Sequence, residues 1–165
     1  MHKNALQFKT KNLIYTYFEN EDKYIEIHMP LTVHLNSFSY KKSGIPEDHT
    51  GHGGGFIFDC RYIYNPGRKE EFKSKTGMDK EVVLFLDTQE AMTKFLNNVY
   101  NIIDPAIENY LERNFTDLMI SFGCTGGQHR SVYAAEKTRE HISQKYPGVI
   151  IEFHHKQIEK GLNIV

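Results

Sequence analysis

Apolar and polar positions alternate through LTVHLNSFSY, 31–40, the two-residue period of a strand with one buried face. Upstream, NLIYTYFE and KYIEIHM are rich in β-branched and aromatic residues, and NED between them can turn. Residues 1–30 are therefore expected to form a β-hairpin extension packed on a domain spanning 31–165. KKSGIPEDHTGHGGG, 41–55, holds five glycines and a proline and reads as a loop. FIFDCRYI, 56–63, alternates again, which predicts a buried strand carrying Phe56, Phe58, Cys60 and Tyr62 inward. YNPGRKEEFKSKTGMDK follows as a polar connection. The period then lengthens: Met92, Phe95, Leu96, Val99, Ile102, Ile103, Ile107 and Leu111 recur at three- and four-residue steps and predict helix within 79–113. Pro105 is expected to kink that helix or to begin a new one capped by Asp104. DLMISFG, 117–123, predicts a buried strand. SVYAAEKTREHISQKY, 131–146, predicts a helix with Val132, Ala135, Ile142 and Tyr146 on one face, and GVIIEF, 148–153, a last strand. Strands alternating with helices predict an α/β fold, a three-layer sandwich around a mixed, largely parallel sheet.

Composition narrows the class. Of 165 residues, 39% are hydrophobic and 25% charged, as in a soluble globular domain. No run approaches the roughly 18 apolar residues of a membrane span, and MHKNALQFKTKN lacks the apolar core of a secretion signal. The formal net charge of −1 argues against general polyanion binding. Cys60 and Cys124, the only cysteines, are too few for a disulfide scaffold and are not spaced as a zinc motif. The expected compartment is the reducing cytoplasm.

The candidate chemistry lies in SFGCTGGQHRSVYAAEK, 121–137. A strand ends near Gly123, a glycine loop follows, and a helix begins near Arg130 or Ser131. Strand, glycine loop and helix N-terminus together present free backbone N–H groups to an anion. Gly126 and Gly127 permit positive φ and close approach of a ligand. Thr125 offers a hydroxyl, and Arg130 a fork suited to phosphate. The loop matches neither the Walker A nor the GxGxxG pattern. Cys124, five residues and Arg130-Ser131 do match the CxxxxxRS spacing of cysteine-dependent phosphatases. In that alternative Cys124 is the nucleophile, with Asp48 or Asp59 as candidate general acid. A buried, inert cysteine at a strand end is the commoner case.

SFSYKKSGIP, FIFDCRYIYNPGR, TGMDK, GCTGGQHRSV and HHKQIEK occur in the order and at about the spacing of the RapZ family's C-terminal domain, which the chain resembles from Ser37 to Lys160. Members usually carry a Walker-motif kinase-like domain ahead of this one, so the chain reads as a stand-alone version. The resemblance implies a sandwich similar to a phosphofructokinase subdomain and binding of the amino-sugar phosphate glucosamine-6-phosphate. It also implies an oligomer and, in an enterobacterial member, an adapter role that presents small RNA to an endoribonuclease. Carried over residue by residue, Cys124, Thr125, Gly126, Gly127, His129, Arg130 and Ser131 match the ligand loop. Asp59, Arg61, Asn65 and Pro66 match an FDxRxxxNP segment, and Thr76, Gly77, Asp79 and Lys80 match TGxDK. His155, with Lys156 in place of arginine, matches the last motif. The family's closing run of lysines and arginines is replaced by EKGLNIV, which weakens the RNA expectation. Against the family pattern DHTGHGGG reads as an insertion, expected to bring a histidine-bearing loop near the ligand.

His49 and His52, with His129, His154 and His155, raise a metal reading, but a His pair in a glycine loop does not make a ligand set and none is expected. Asp59 and Arg61, two apart on one strand, should share a face, either reading a ligand or forming an ion pair. The expectation is a binding domain for a small phosphorylated sugar with a regulatory or adapter role. It needs no cofactor, and catalysis by Cys124 and Arg130 is the alternative.

Overall fold

The computed structural model describes residues 5–9, 13–18 and 23–162. Strands β1 (Ala5–Lys9), β2 (Leu13–Phe18) and β3 (Lys23–His28) form an antiparallel sheet in the order 1-2-3. The expected hairpin is β2–β3, extended by one strand at its outer edge. Its NED turn lies outside the described residues.

A second sheet carries the core. Strands β4 (Thr32–Ser39), β5 (Gly55–Asp59), β6 (Asp117–Cys124) and β7 (Ile150–His155) pair in the order β5-β6-β4-β7. All three pairings are parallel, so among the described residues this sheet is parallel throughout rather than mixed. Helices α1 (Lys80–Asp87), α2 (Glu90–Glu112), α3 (Arg130–Lys145) and α4 (Lys156–Leu162) flank it. The α3 crossover carries the chain from β6 past β4 to β7.

The register sorts side chains into two faces. Val33 and Leu35 lie beside Leu118 and Ile120 and, across the sheet, Ile151 and Phe153. This face joins Val82, Met92, Val99, Ile103, Ile107 and Ile142 of the helices in one buried cluster. Fully burying one such side chain stabilises the fold by about 1.5–3 kcal/mol. The other face carries His34, Asn36, Ser121, Glu152 and His154, and the glycine-rich loop after β4 crosses it.

Three expectations change. β5 ends at Asp59, so Tyr62 lies beyond the strand and is 69% exposed instead of buried. Pro105 sits inside α2 without ending it, and Asp104 does not cap a helix: its carboxylate accepts from His141 and Lys145. The helical break falls earlier, at Thr88–Gln89, where both side chains donate to the Phe85 carbonyl. Pro105 is tolerated because Met92, Phe95, Leu96, Val99, Ile103 and Ile107 on its helix are buried on both sides of it. That burial outweighs the roughly 3 kcal/mol that an interior proline costs.

Candidate functional site

β6 runs through Cys124 and α3 starts at Arg130, so the loop between them sits beyond the carboxyl end of a central parallel strand. That is where open α/β sheets hold ligands. Gly127 has φ 65°, and a Cβ there would lie 2.9 Å from Ser39 and 2.8 Å from Gln157. Gly126 is different: its φ is ordinary and a Cβ would meet nothing within 4 Å. The loop is fastened through its carbonyls. Ser39 Oγ donates to the Thr125 carbonyl at 2.7 Å, and the Gly77 N–H donates to the Gln128 carbonyl at 2.8 Å.

Its donors are largely unspent. The Gly127 N–H donates to Cys124 Sγ at 3.2 Å. The N–H groups of Thr125, Gly126, Gln128, His129 and Arg130 make no hydrogen bond among the described residues. Among the described residues no side chain caps α3, and its first turn holds no acidic residue. The positive end of this 16-residue helix is thus uncompensated among the described residues.

Segment 60–77 folds over this loop and closes a cavity of about 240 Å³. Arg130 ties it down: Nη1 donates to the carbonyls of Arg61 at 2.9 Å and Ile63 at 2.8 Å, and more weakly to that of Cys60 at 3.5 Å. Arg130 is 4% exposed, and its Nε is buried without a partner among the described residues. Nη1 is thus the guanidinium nitrogen spent on these carbonyls, and Arg130 also lines the cavity. Gln128 Nε2 donates to the carbonyls of Lys73 and Lys75. His129 Nε2 donates to the Phe72 carbonyl at 2.8 Å, which assigns the hydrogen to Nε2 because a carbonyl only accepts. Nδ1 is then turned toward Gly67, on the cavity wall. Asn65 accepts from the Gly67 N–H through Oδ1 and also lines the cavity.

The structure thus brings Cys124, Thr125, Gly126, His129, Arg130 and Asn65 of the sequence candidates to one cavity. It does not bring the others there. Gly127 packs on Ser39 and Gln157. Ser131 is fully buried, 3.1 Å from Cys124 Sγ. Asp59 and Arg61 form a two-pronged ion pair with each other, and Arg61 also lies 4.0 Å over the Tyr40 ring. Arg61 is in a turn after the strand, not on it. Its hydrogen bonds hold the Asp59 carboxyl below its ordinary range. Lys80 is exposed at the start of α1. His155 is buried, with Nδ1 on Ser37 at 2.7 Å and Nε2 on Glu136 at 3.1 Å, so both ring nitrogens are spent in the helix-side core. Lys156 faces a second cavity across the sheet.

Neither candidate acid of the phosphatase alternative lines the cavity over the loop. Asp59 is ion-paired, and Asp48 lines the cavity on the opposite face, its carboxyl held down by the Thr50 N–H first, then the Thr50 hydroxyl. Burial pushes the Cys60 thiol up. Among the described residues no group of three or more His, Cys, Asp or Glu side chains is placed to hold a metal ion, and no helix is long and apolar enough to cross a membrane.

The RapZ C-terminal domain family matches residues 31–159. The chain belongs to that family. It is 34% identical over 96% of its length to a nucleotide-binding protein of Fervidobacterium nodosum, covering 51% of that protein. Proteins of the same description from Pseudoalteromonas atlantica and Shewanella woodyi are 35% and 36% identical over 79% and 69% of the chain, covering 43% and 39% of theirs. The chain spans about half the length, or less, of these curated relatives.

One motif shared with the RapZ C-terminal domain is a brace. Asp79 accepts from the Thr76 N–H at 2.7 Å and the Thr76 hydroxyl at 2.8 Å, and these bonds, the backbone one first, lower its pKa. A Cβ on Gly77 would fall 2.2 Å from the His129 carbonyl oxygen, so only glycine lets this turn press against the start of α3. Sequence reasoning missed Gly67, Gln128 and Lys73, which also line the cavity. Lys73 was hidden in RKEEFKSK, which reads as a solvated face; it does pair with Glu70, yet it reaches the cavity rim. The glycine after NP was the available signal for Gly67.

Proposed function

We propose that the cavity over Thr125 and Gly126 binds the phosphate of a small phosphorylated metabolite, an amino-sugar phosphate such as glucosamine-6-phosphate, and that the chain is a ligand-responsive regulatory or adapter domain. What carries the reading is the row of main-chain N–H groups, unpartnered among the described residues, at the N-terminus of α3 where they line a cavity. Such groups stabilise an anion through both hydrogen bonds and the helix dipole. The Arg130 guanidinium and Lys73 add positive charge, while the Asn65 amide and His129 Nδ1 are directional groups for the sugar. The relatives' printed name supports the same class, since a nucleotide's phosphate would use the same donors.

Calorimetry with glucosamine-6-phosphate, glucosamine, inorganic phosphate and AMP tests it. Glucosamine-6-phosphate should bind and glucosamine should not; equal affinity for the two removes the phosphate anchor. AMP binding more tightly would move the ligand class to nucleotides. Gly126→Asp is the matching variant. The space beside Gly126 is open, so the fold should persist, and a carboxylate among the amides should weaken phosphate binding by about tenfold or more.

A further inference from the structure

The sheet face opposite the core holds a second cavity, of about 220 Å³, that shares no lining residue with the anion cavity. Loop 41–54 forms its roof, and β4, β6 and β7 form its floor through Asn36, Met119 and Glu152. Asn36 is 5% exposed. Its Nδ2 donates to the His34 carbonyl at 3.2 Å and less closely to Ser121 Oγ at 3.4 Å. Because a carbonyl must face the nitrogen, Oδ1 points the other way, and it accepts no hydrogen bond among the described residues. Asn36 lines the cavity, so this acceptor is open there to a donor from outside the protein.

The surroundings say which donor would fit. Glu47, Asp48 and Glu152 line the cavity against a single lysine, Lys156, with His34, His49 and His154 beside them. Asp48 is fixed in place by the Thr50 N–H, the Thr50 hydroxyl and the Gly54 N–H. Glu152 is oriented by His34, whose other ring nitrogen is held by Asp117 at 2.8 Å. Met119 supplies an apolar wall. Acceptors and negative charge dominate, with room for a short aliphatic body.

We propose that this cavity binds an organic ammonium group, with Asn36 Oδ1 and the carboxylates of Glu47 and Glu152 taking its three N–H bonds and Met119 contacting its carbon chain. It is a site separate from the phosphate cradle.

The probe is 1,4-diaminobutane, with 1,4-butanediol as the neutral control, titrated into the whole chain by calorimetry. The diamine should bind saturably at one site and the diol should not. Glu47→Gln, at an exposed position that the fold does not need, and Asn36→Leu should each weaken the diamine by about tenfold. Saturating inorganic phosphate should leave the diamine in place. The proposal is overturned by an absence of saturable diamine binding, by a diol that binds as well, or by unchanged affinity in Glu47→Gln. Displacement of the diamine by phosphate would equally overturn it, since the two sites would then be one.

Discussion

Arg130 shows how a residue's type and its task can part. Its spacing from Cys124 suggests a phosphate fork, yet Nη1 is committed to main-chain carbonyls 67 to 70 positions away. Removing it strips a buried cluster of carbonyls of its donor as well as removing a cation from the cavity. Arg130→Ala is therefore expected to lower stability by on the order of 3 kcal/mol, read as a fall in the denaturation midpoint, so its loss of ligand binding cannot be assigned to the phosphate alone. An unchanged midpoint would mean that the guanidinium is not an anchor. Gly126 and Gly127 part in the same way. Adjacent and identical in sequence, one is forced by φ and packing while the other is open to substitution. The loop's place was legible because a strand, glycines and a helix follow one another locally. The aim of Arg130 was not, because it depends on partners brought near only by the folded segment 60–63.

Among the elements, those with a strong period were legible: β4, β6, β7, α3 and the inward stripe of α2. What failed was decided by tertiary packing. The alternation through FIFDCRYI continues past the strand's end: the register with β6 stops at Asp59, and after the Cys60 N–H donates to the Gly123 carbonyl the chain turns away. Ile102 and Leu111, counted in the helical stripe, are 48% and 40% exposed. The TGMDK turn is an element whose role has a pH signature. The Asp79 carboxyl is lowered by the Thr76 N–H and hydroxyl, so its ionised form is favoured in the folded state. A depressed folded pKa contributes stability that is present above the unfolded value of about 3.9 and is lost as pH falls through the folded value. Urea midpoints should therefore decline from pH 5 toward pH 3, and Asp79→Asn should flatten part of that decline. A variant with the same acid dependence as the parent would show that this turn is not a titrating brace.

At the scale of the whole molecule, charge bears on the RNA-adapter function that the resemblance raises. Basic and acidic residues nearly balance, 20 against 21. Lys69, Lys73, Lys75, Lys94, Lys137 and Lys145 each lie beside a carboxylate. Affinity for a polyanion scales with the number of phosphates neutralised. A gel shift with a structured small RNA should show weak binding at about 50 mM salt and none at about 200 mM; a complex that persists at the higher salt would reveal a basic face that these pairings conceal.

The central claim is that the amides at the start of α3 form an oxyanion cradle. Amide-resolved NMR during a titration with glucosamine-6-phosphate addresses it directly. The N–H resonances of Thr125, Gly126, Gln128 and His129 should move together and saturate, while those of β7 and the loop over the opposite sheet face stay still. Saturable binding that leaves these four amides unmoved, or no binding in the presence of an intact fold, would contradict it.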